Sequence, residues 1–263
     1  MKPRNAIITE VIHETPTITT LKMDLKLEAL PGQFVMVWVR GLDEVPMALS
    51  HPDAITVQRV GEATNVLSGM QVGDSIGIRG PFGNGFELEG TRIMLIAGGV
   101  GGAPLLPLAR LAYAKGLDMT TIVGARTGDE LLFEQQFSQC GRVSVATDDG
   151  SKGYHGFVTE LVNQFDLESF DQLYVCGPEL MMKGVLDILQ AQAIEARSQF
   201  SLHRYFKCGI GVCGACTIDP SGQRVCKDGP VFKGDMLIYS ELGKYHRDAT
   251  GKKIVQERFE DSL

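Results

Sequence analysis

Cys208-Gly-Ile-Gly-Val-Cys213-Gly-Ala-Cys216, followed by Cys226, places four of the chain's six cysteines in a C-x4-C-x2-C-x9-C spacing. Four thiolates spaced in this way suit the two irons of a [2Fe–2S] cluster. Gly209, Gly211 and Gly214 fit a tight loop whose backbone turns left-handed and brings N–H groups up to sulfur. A turn predicted at Asp219-Pro220-Ser221-Gly222 lets Cys226 close the site. Two other readings of these cysteines stay open. Structural zinc also takes closely spaced pairs, usually as two C-x2-C hooks well apart. Disulfides would need an oxidising compartment, and Met1-Lys2-Pro3-Arg4 leads into a β-like segment, not a secretory leader. A cluster moves single electrons, so the rest of the chain is expected to hold a flavin or nicotinamide site.

With 263 residues, 44% of them hydrophobic, the chain can bury two domain cores beside a small cluster module. Mean hydropathy is +0.02 and no run of about 18 apolar residues occurs, so a cytoplasmic protein without membrane spans is expected. The net charge of −7 argues against nucleic acid as a partner. That charge is uneven: residues 197–263 carry +3 and residues 1–196 carry −10. The mildly basic module is either a docking face or a solvated surface.

Residues 1–88 alternate apolar and polar positions over Asn5–His13, Thr17–Met23, Gln33–Arg40, Ala54–Val60 and Asp74–Arg79, with turn residues between. Short, evenly spaced strands of this kind predict a small antiparallel barrel. Four local sequences stand out in order: Pro31-Gly32-Gln33-Phe34, Pro46-Met47-Ala48-Leu49-Ser50, Gly61-Glu62-Ala63-Thr64 and Gly80-Pro81-Phe82-Gly83-Asn84-Gly85-Phe86. Together they resemble the flavin-binding barrel of the ferredoxin reductase superfamily. The resemblance implies that Pro46–Ser50 lie along the isoalloxazine of FAD. It also implies that Val57, Gln58 and Arg59, leading into Gly61, Ala63 and Thr64, contact its ribityl and phosphates. One departure stands out: the superfamily's arginine before the proline and hydroxyl residue two positions after it are Val45 and Ala48 here. Arg59, with the backbone of Ala63 and Thr64, is expected to supply the pyrophosphate donors instead. A solvent-facing strand arginine is the plainer reading of the same residue.

Residues 89–196 switch to alternating strands and helices. Strands are predicted at Arg92–Ala97, Met119–Gly124, Val143–Ala146 and Leu173–Cys176, and helices at Ala103–Lys115, Glu130–Phe137, Phe157–Asn163 and Glu179–Gln192. This is the pattern of a parallel-sheet, nucleotide-binding α/β domain. Gly99, Gly101, Gly102 and Pro104 form G-x-G-x-x-P between a strand and a helix, where backbone can approach a pyrophosphate. Arg126, Asp148 and the run Cys176-Gly177-Pro178 fall at carboxyl ends of strands, where such sheets bind ligands. The last run resembles the C-G-P segment facing the nicotinamide in ferredoxin-reductase-like proteins. No second basic residue follows Arg126 closely, which favours NAD over NADP. Cys140, and Cys176 on its plainer reading, are expected as core residues.

In residues 197–263, Val231, Phe232, Met236 and Leu237 are expected to cover the cluster, and 243–263, with His246 and Arg247, reads as a solvated tail. His155 and His203 read as surface residues.

In this order, residues 5 to 250 resemble the electron-transfer subunits of archaeal NAD-dependent dihydroorotate dehydrogenases of type B. The most specific pieces are C-G-I-G-V-C-G-A-C-T-I-D (208–219), V-C-K-D-G-P-V-F (225–232) and A-T-D-D-G-S-x-G (146–153). The resemblance implies FAD, NAD and one [2Fe–2S] cluster held by Cys208, Cys213, Cys216 and Cys226. It further implies an FMN-containing catalytic partner subunit, two copies of each forming a heterotetramer. Electrons from dihydroorotate would pass through cluster and FAD to NAD+ in de novo pyrimidine (UMP) biosynthesis, with no acid or base catalyst on this chain. Two alternatives remain: the corresponding subunit of a bifurcating ferredoxin:NADP reductase or cytosolic hydrogenase, some of which have aspartate where Cys208 stands, and a non-catalytic zinc or redox-sensing module.

Overall fold

The computed structural model describes residues 2–255. Six strands, β1 (Arg4–His13), β2 (Ile18–Met23), β3 (Phe34–Trp38), β4 (Glu44–His51), β5 (Ala54–Gln58) and β6 (Ser75–Phe82), close an antiparallel barrel in the order β1-β2-β5-β4-β3-β6. Period-two alternation fills it: Ile8, Leu21, Val35, Val37, Ile55, Val57, Ile76 and Ile78 point inward and are fully buried. The outer face of β2, β4 and β5 carries a hydroxyl ladder, with Thr20 Oγ1 and Ser50 Oγ each 2.8 Å from Thr56 Oγ1. These hydroxyls are buried because β4 packs under the first long helix of the next domain. A short helix, α1 (Glu62–Ser68), follows β5, and Thr64 Oγ1 accepts the N–H groups of Val60 and Gly61 at its start.

The second sheet has seven strands. Its members are β7 (Arg92–Gly98), β8 (Asp118–Ala125), β9 (Arg142–Thr147), β10 (Tyr154–His155), β11 (Gln172–Cys176), β12 (Ser198–Ser201) and β13 (Val231–Lys233), in the order β10-β9-β8-β7-β11-β12-β13. All pairings are parallel except β12 with β13. Alternate residues of β7 serve opposite faces: Ile93 and Leu95 meet α2 (Gly102–Ala114), while Met94 and Ile96 share a core with Met182, Val185 and Leu189 of α5 (Glu179–Ala191). α3 (Glu134–Ser138) and α4 (Val158–Val162) are shorter connections.

Several expectations are corrected. The helix predicted over Glu130–Phe137 is split into a 3-10 turn at Gly128–Glu130 and α3, because Phe133 adopts φ +61° while it and Leu132 both bury their side chains in the α2 core. β12 and β13 add two strands to the α/β sheet from beyond residue 196, so the cluster module and the α/β domain share hydrogen bonds. Of the four residues expected to cover the cluster, Phe232 and Leu237 share a buried core with Cys216 and Cys226, Val231 is buried in the α2 core, and Met236 is exposed.

The segment read as a solvated tail is instead a hairpin, β14 (Tyr245–Arg247) with β15 (Lys253–Val255). Asp219 anchors it, accepting hydrogen bonds from Tyr245 Oη at 2.5 Å and Arg247 Nη1 at 2.9 Å. Positions 256–263 of that segment lie outside the described residues. His155 and His203 are exposed as expected. Among the described residues, no helix is long and apolar enough to cross a membrane.

Candidate electron-transfer site

The cysteine loop turns back on itself at Gly209, Gly211 and Gly214, with φ of +68°, +78° and +74°. This curls backbone donors inward. Cys208 Sγ accepts the N–H groups of Val212 at 3.3 Å and Ile210 at 3.5 Å, Gly211 N–H reaches Cys226 Sγ at 3.1 Å, and Cys226 N–H reaches Cys216 Sγ at 3.4 Å. The thiols form two adjacent sets, Cys208 with Cys213 and Cys216 with Cys226, and Cys208 lies close enough to Cys226 to act on its charge. Two neighbouring pairs of thiols within one loop suit a centre that takes two thiolates per iron. Burial opposes ionisation of Cys208, but the surrounding N–H donors outweigh it and bring the thiol down to about 6. Burial and the neighbouring Cys216 push Cys226 up to about 12 in the absence of metal. Sulfur lined by N–H donors and charged only as a thiolate has the chemistry that an iron–sulfur centre takes.

α6 (Val225–Asp228) carries Cys226, and α7 (Gly234–Leu237) packs on β12 and β13. The floor of the cysteine loop is the barrel: a Cβ on Gly209 would lie 2.7 Å from Met36 Cγ, and Met36 pairs across β3 and β4 with Pro46. Phe34, Phe82 and Phe206 join Cys216 and Cys226 in one core. The cluster loop and the strand expected to hold a flavin are thus separated by one strand.

On β4, Val45, Met47 and Leu49 turn into the barrel, while Pro46, Ala48 and Ser50 take the face toward the α/β domain. Val57 is also inward and fully buried, leaving its backbone to meet a ligand. Gln58 ends β5, and Arg59 beyond it donates from Nη2 to the Pro16 carbonyl at 2.8 Å. Gly61, Ala63 and Thr64 form the start of α1, so this part of the predicted set lies at one end of the barrel beside the glycine loop, which touches β5.

Gly99, Gly101, Gly102 and Pro104 sit where β7 gives way to α2, and Gly99 has φ +50°. Cys176 ends β11 and Gly177 and Pro178 follow it directly alongside: a Cβ on Gly177 would come within 3.0 Å of Gly98. Arg126 and Asp148 follow β8 and β9 at the same edge of the sheet. Arg126 is held by Glu130 through two hydrogen bonds of 3.0 and 2.9 Å, and burial raises Asp148 above the usual carboxylate range. Burial also pushes the Cys176 thiol up to about 12, so it stays neutral, next to Ser201. Cys140 is half-buried.

One buried constellation was missed from sequence. Arg204 donates to Glu179 Oε2 at 3.0 Å and to Glu241 Oε1 at 2.8 Å, and all three side chains are 4–5% exposed. Glu179 opens α5 immediately after Cys176-Gly177-Pro178, and Glu241 also accepts the Asp219 N–H at 2.8 Å. The triad therefore ties the nicotinamide-type loop to the cluster module. Residues 25 and 37 positions apart give no local signal of this.

Barrel, glycine loop at the carboxyl edge of a parallel sheet, and a four-cysteine loop seated on the barrel define a ferredoxin-reductase-like FAD- and NAD-binding oxidoreductase with an iron–sulfur domain. Comparison with known proteins agrees. Residues 203–238 match the iron-sulfur cluster binding domain of dihydroorotate dehydrogenase B, and residues 95–187 match the oxidoreductase NAD-binding domain.

The chain is 55% identical over 255 residues to a Methanocella arvoryzae protein named "Probable dihydroorotate dehydrogenase B (NAD(+)), electron transfer subunit", covering 96% of this chain and 99% of that one. A Methanocaldococcus jannaschii protein of the same name is 46% identical over 96% of this chain and 98% of its own. The chain belongs to the family of dihydroorotate dehydrogenase B (NAD+) electron transfer subunits. Among solved structures, one of an NADH-dependent reduced ferredoxin-NADP oxidoreductase aligns with TM-score 0.79 and 31% identity, covering 88% of each chain. The FAD/NAD-binding domain of a Vibrio cholerae nitric oxide dioxygenase aligns at TM-score 0.69 and 23% identity over 77% of this chain and 99% of that one, a likeness of fold.

Proposed function

We propose that this chain is the electron-carrying half of a two-subunit enzyme, connecting dihydroorotate oxidation on an FMN-containing catalytic partner to reduction of NAD+, in the cytoplasm and in pyrimidine (UMP) synthesis. The observation that carries this reading is the seating of the cysteine loop on Met36, one strand from Pro46–Ser50, with the glycine loop facing the same barrel. Family membership supports it. When bound, FAD exchanges electrons singly with an iron–sulfur centre and in pairs with a nicotinamide.

In this reading Pro46, Met47, Ala48, Leu49 and Ser50 shape the isoalloxazine site, and Val57, Gln58, Arg59, Gly61, Ala63 and Thr64 meet the ribityl and phosphates. Arg59 then leaves the Pro16 carbonyl for the pyrophosphate. Gly99, Gly101, Gly102 and Pro104 bring backbone to the NAD phosphates, Arg126 and Asp148 lie toward its ribose, and Cys176, Gly177 and Pro178 floor the nicotinamide. Cys208, Cys213, Cys216 and Cys226 hold the cluster. The chain's own task is placement, exclusion of water and tuning of potentials.

The test uses the full chain with its cofactors, alone and co-purified with the catalytic subunit as a two-plus-two assembly. Alone, it should reduce an artificial dye with NADH and leave dihydroorotate untouched. With the partner, NAD+ reduction should become dihydroorotate-dependent. Dihydroorotate oxidation by the isolated chain, or an assembly that remains inactive toward NAD+, would overturn the proposal.

A further inference from the structure

Arg79 on β6 bridges the barrel and the cysteine loop. Its guanidinium forms a two-point ion pair with Glu44, the first residue of β4, with Nε 2.8 Å from Oε1 and Nη2 reaching Oε2. The same Nη2 donates to the carbonyl oxygen of Cys208 at 3.3 Å. The two side chains are 12% and 22% exposed, and the Phe82 ring lies 5.7 Å from the guanidinium carbon. Glu44 stands two positions before Pro46, and Cys208 is the first cysteine of the loop. Charges so placed and partly withdrawn from water act on a neighbouring redox group with little screening.

We propose that the Arg79–Glu44 pair is a positioning and tuning element for electron transfer: Arg79 holds the Cys208 end of the loop on the barrel, and the two opposite charges set the one-electron potential of the cluster. This rests on the [2Fe–2S] reading of the four cysteines. Reduction adds a negative charge to the cluster. An adjacent guanidinium favours that addition, and an adjacent carboxylate opposes it. Removing Arg79 takes away the cation that touches the Cys208 carbonyl and leaves the Glu44 carboxylate uncompensated on the strand beneath the loop, so the potential falls. Removing the Glu44 charge leaves the guanidinium unneutralised, so the potential rises. Loosened packing would not give opposite signs for the two partners.

The experiment is an EPR-monitored redox titration of the full, anaerobically reconstituted chain as wild type, Arg79→Met, Glu44→Gln and the double variant. At a fixed poise the ratio of reduced to oxidised cluster should fall about tenfold in Arg79→Met, or 59 mV for one electron. It should rise by several-fold in Glu44→Gln and return toward wild type in the double variant. Shifts of the same sign in both single variants, or no shift in either, would overturn the proposal. If Arg79→Met does not fold, the upward shift in Glu44→Gln decides by itself. A wild-type chain that gives no [2Fe–2S] signal after reconstitution would sink the cluster reading, and this inference with it.

Discussion

A Cβ on Gly101 would lie 2.2 Å from the carbonyl oxygen of Cys176. The glycine loop after β7 and the Cys176-Gly177-Pro178 loop after β11 therefore touch backbone to backbone, and no side chain fits between them. Gly101→Ala must push the two loops apart. The expected outcome is a loss of about 1–3 kcal/mol in stability and at least a tenfold rise in the Kd for NADH, with flavin and iron content unchanged. Equilibrium binding and chemical denaturation check it; NADH affinity within twofold of wild type would show that these loops do not hold the nucleotide.

A [2Fe–2S] centre takes two thiolates on each iron, so neither Cys208 with Cys213 nor Cys216 with Cys226 suffices alone. Cys213→Ser and Cys226→Ser, one from each set, should both abolish the cluster's visible absorption and its bound iron while FAD stays bound. Retention of a metal without acid-labile sulfide in the wild-type chain would favour zinc.

The Arg204 triad places two carboxylates around one guanidinium at 4–5% side-chain exposure. Arg204→Met strands both anions and should cost about 3–5 kcal/mol, read from urea unfolding. Adding Glu179→Gln to that variant should recover part of the loss, and a cost below about 1 kcal/mol would mean the triad is not a clamp.

His51 gives the chain an acid-side sensitivity. Burial, with Arg110 nearby, lowers it from 6.5 to about 4. The unfolded chain thus takes up this proton first, and stability drops as pH falls from about 6.5 to about 4, with no contribution above that window. At half burial the effect is about 1–2 kcal/mol near pH 4. His51→Gln should flatten the melting temperature over that range, and an unchanged pH slope would contradict this assignment.

Much of the architecture was readable in the chain. Period-two runs such as Ala54–Val60 announced the barrel, and the glycines between Arg92–Ala97 and the following helix announced the turn from β7 into α2. The cysteine spacing pointed to the stretch that matches an iron-sulfur cluster binding domain, because its four thiols are local in sequence. What escaped was non-local or locally contradictory. Glu179, Arg204 and Glu241 look like surface charges until the fold buries them together. The residues of β12 are too few to show a period, so the sharing of one sheet by two modules was invisible. Asp219 gives no hint that it will anchor a hairpin some 26 residues onward. Arg79 and Glu44, on different strands, meet only once the barrel closes.

The central claim is that one chain passes electrons between a nicotinamide and its cysteine-held cluster through a flavin. Anaerobic titration of the reconstituted chain with NADH, followed by visible absorption and EPR together, tests it most directly. The account predicts bleaching of the flavin band and growth of a reduced [2Fe–2S] signal in the same titration, with two irons and two sulfides per FAD. Flavin bleaching with a cluster that stays oxidised at every NADH level, or a colourless protein, would contradict it.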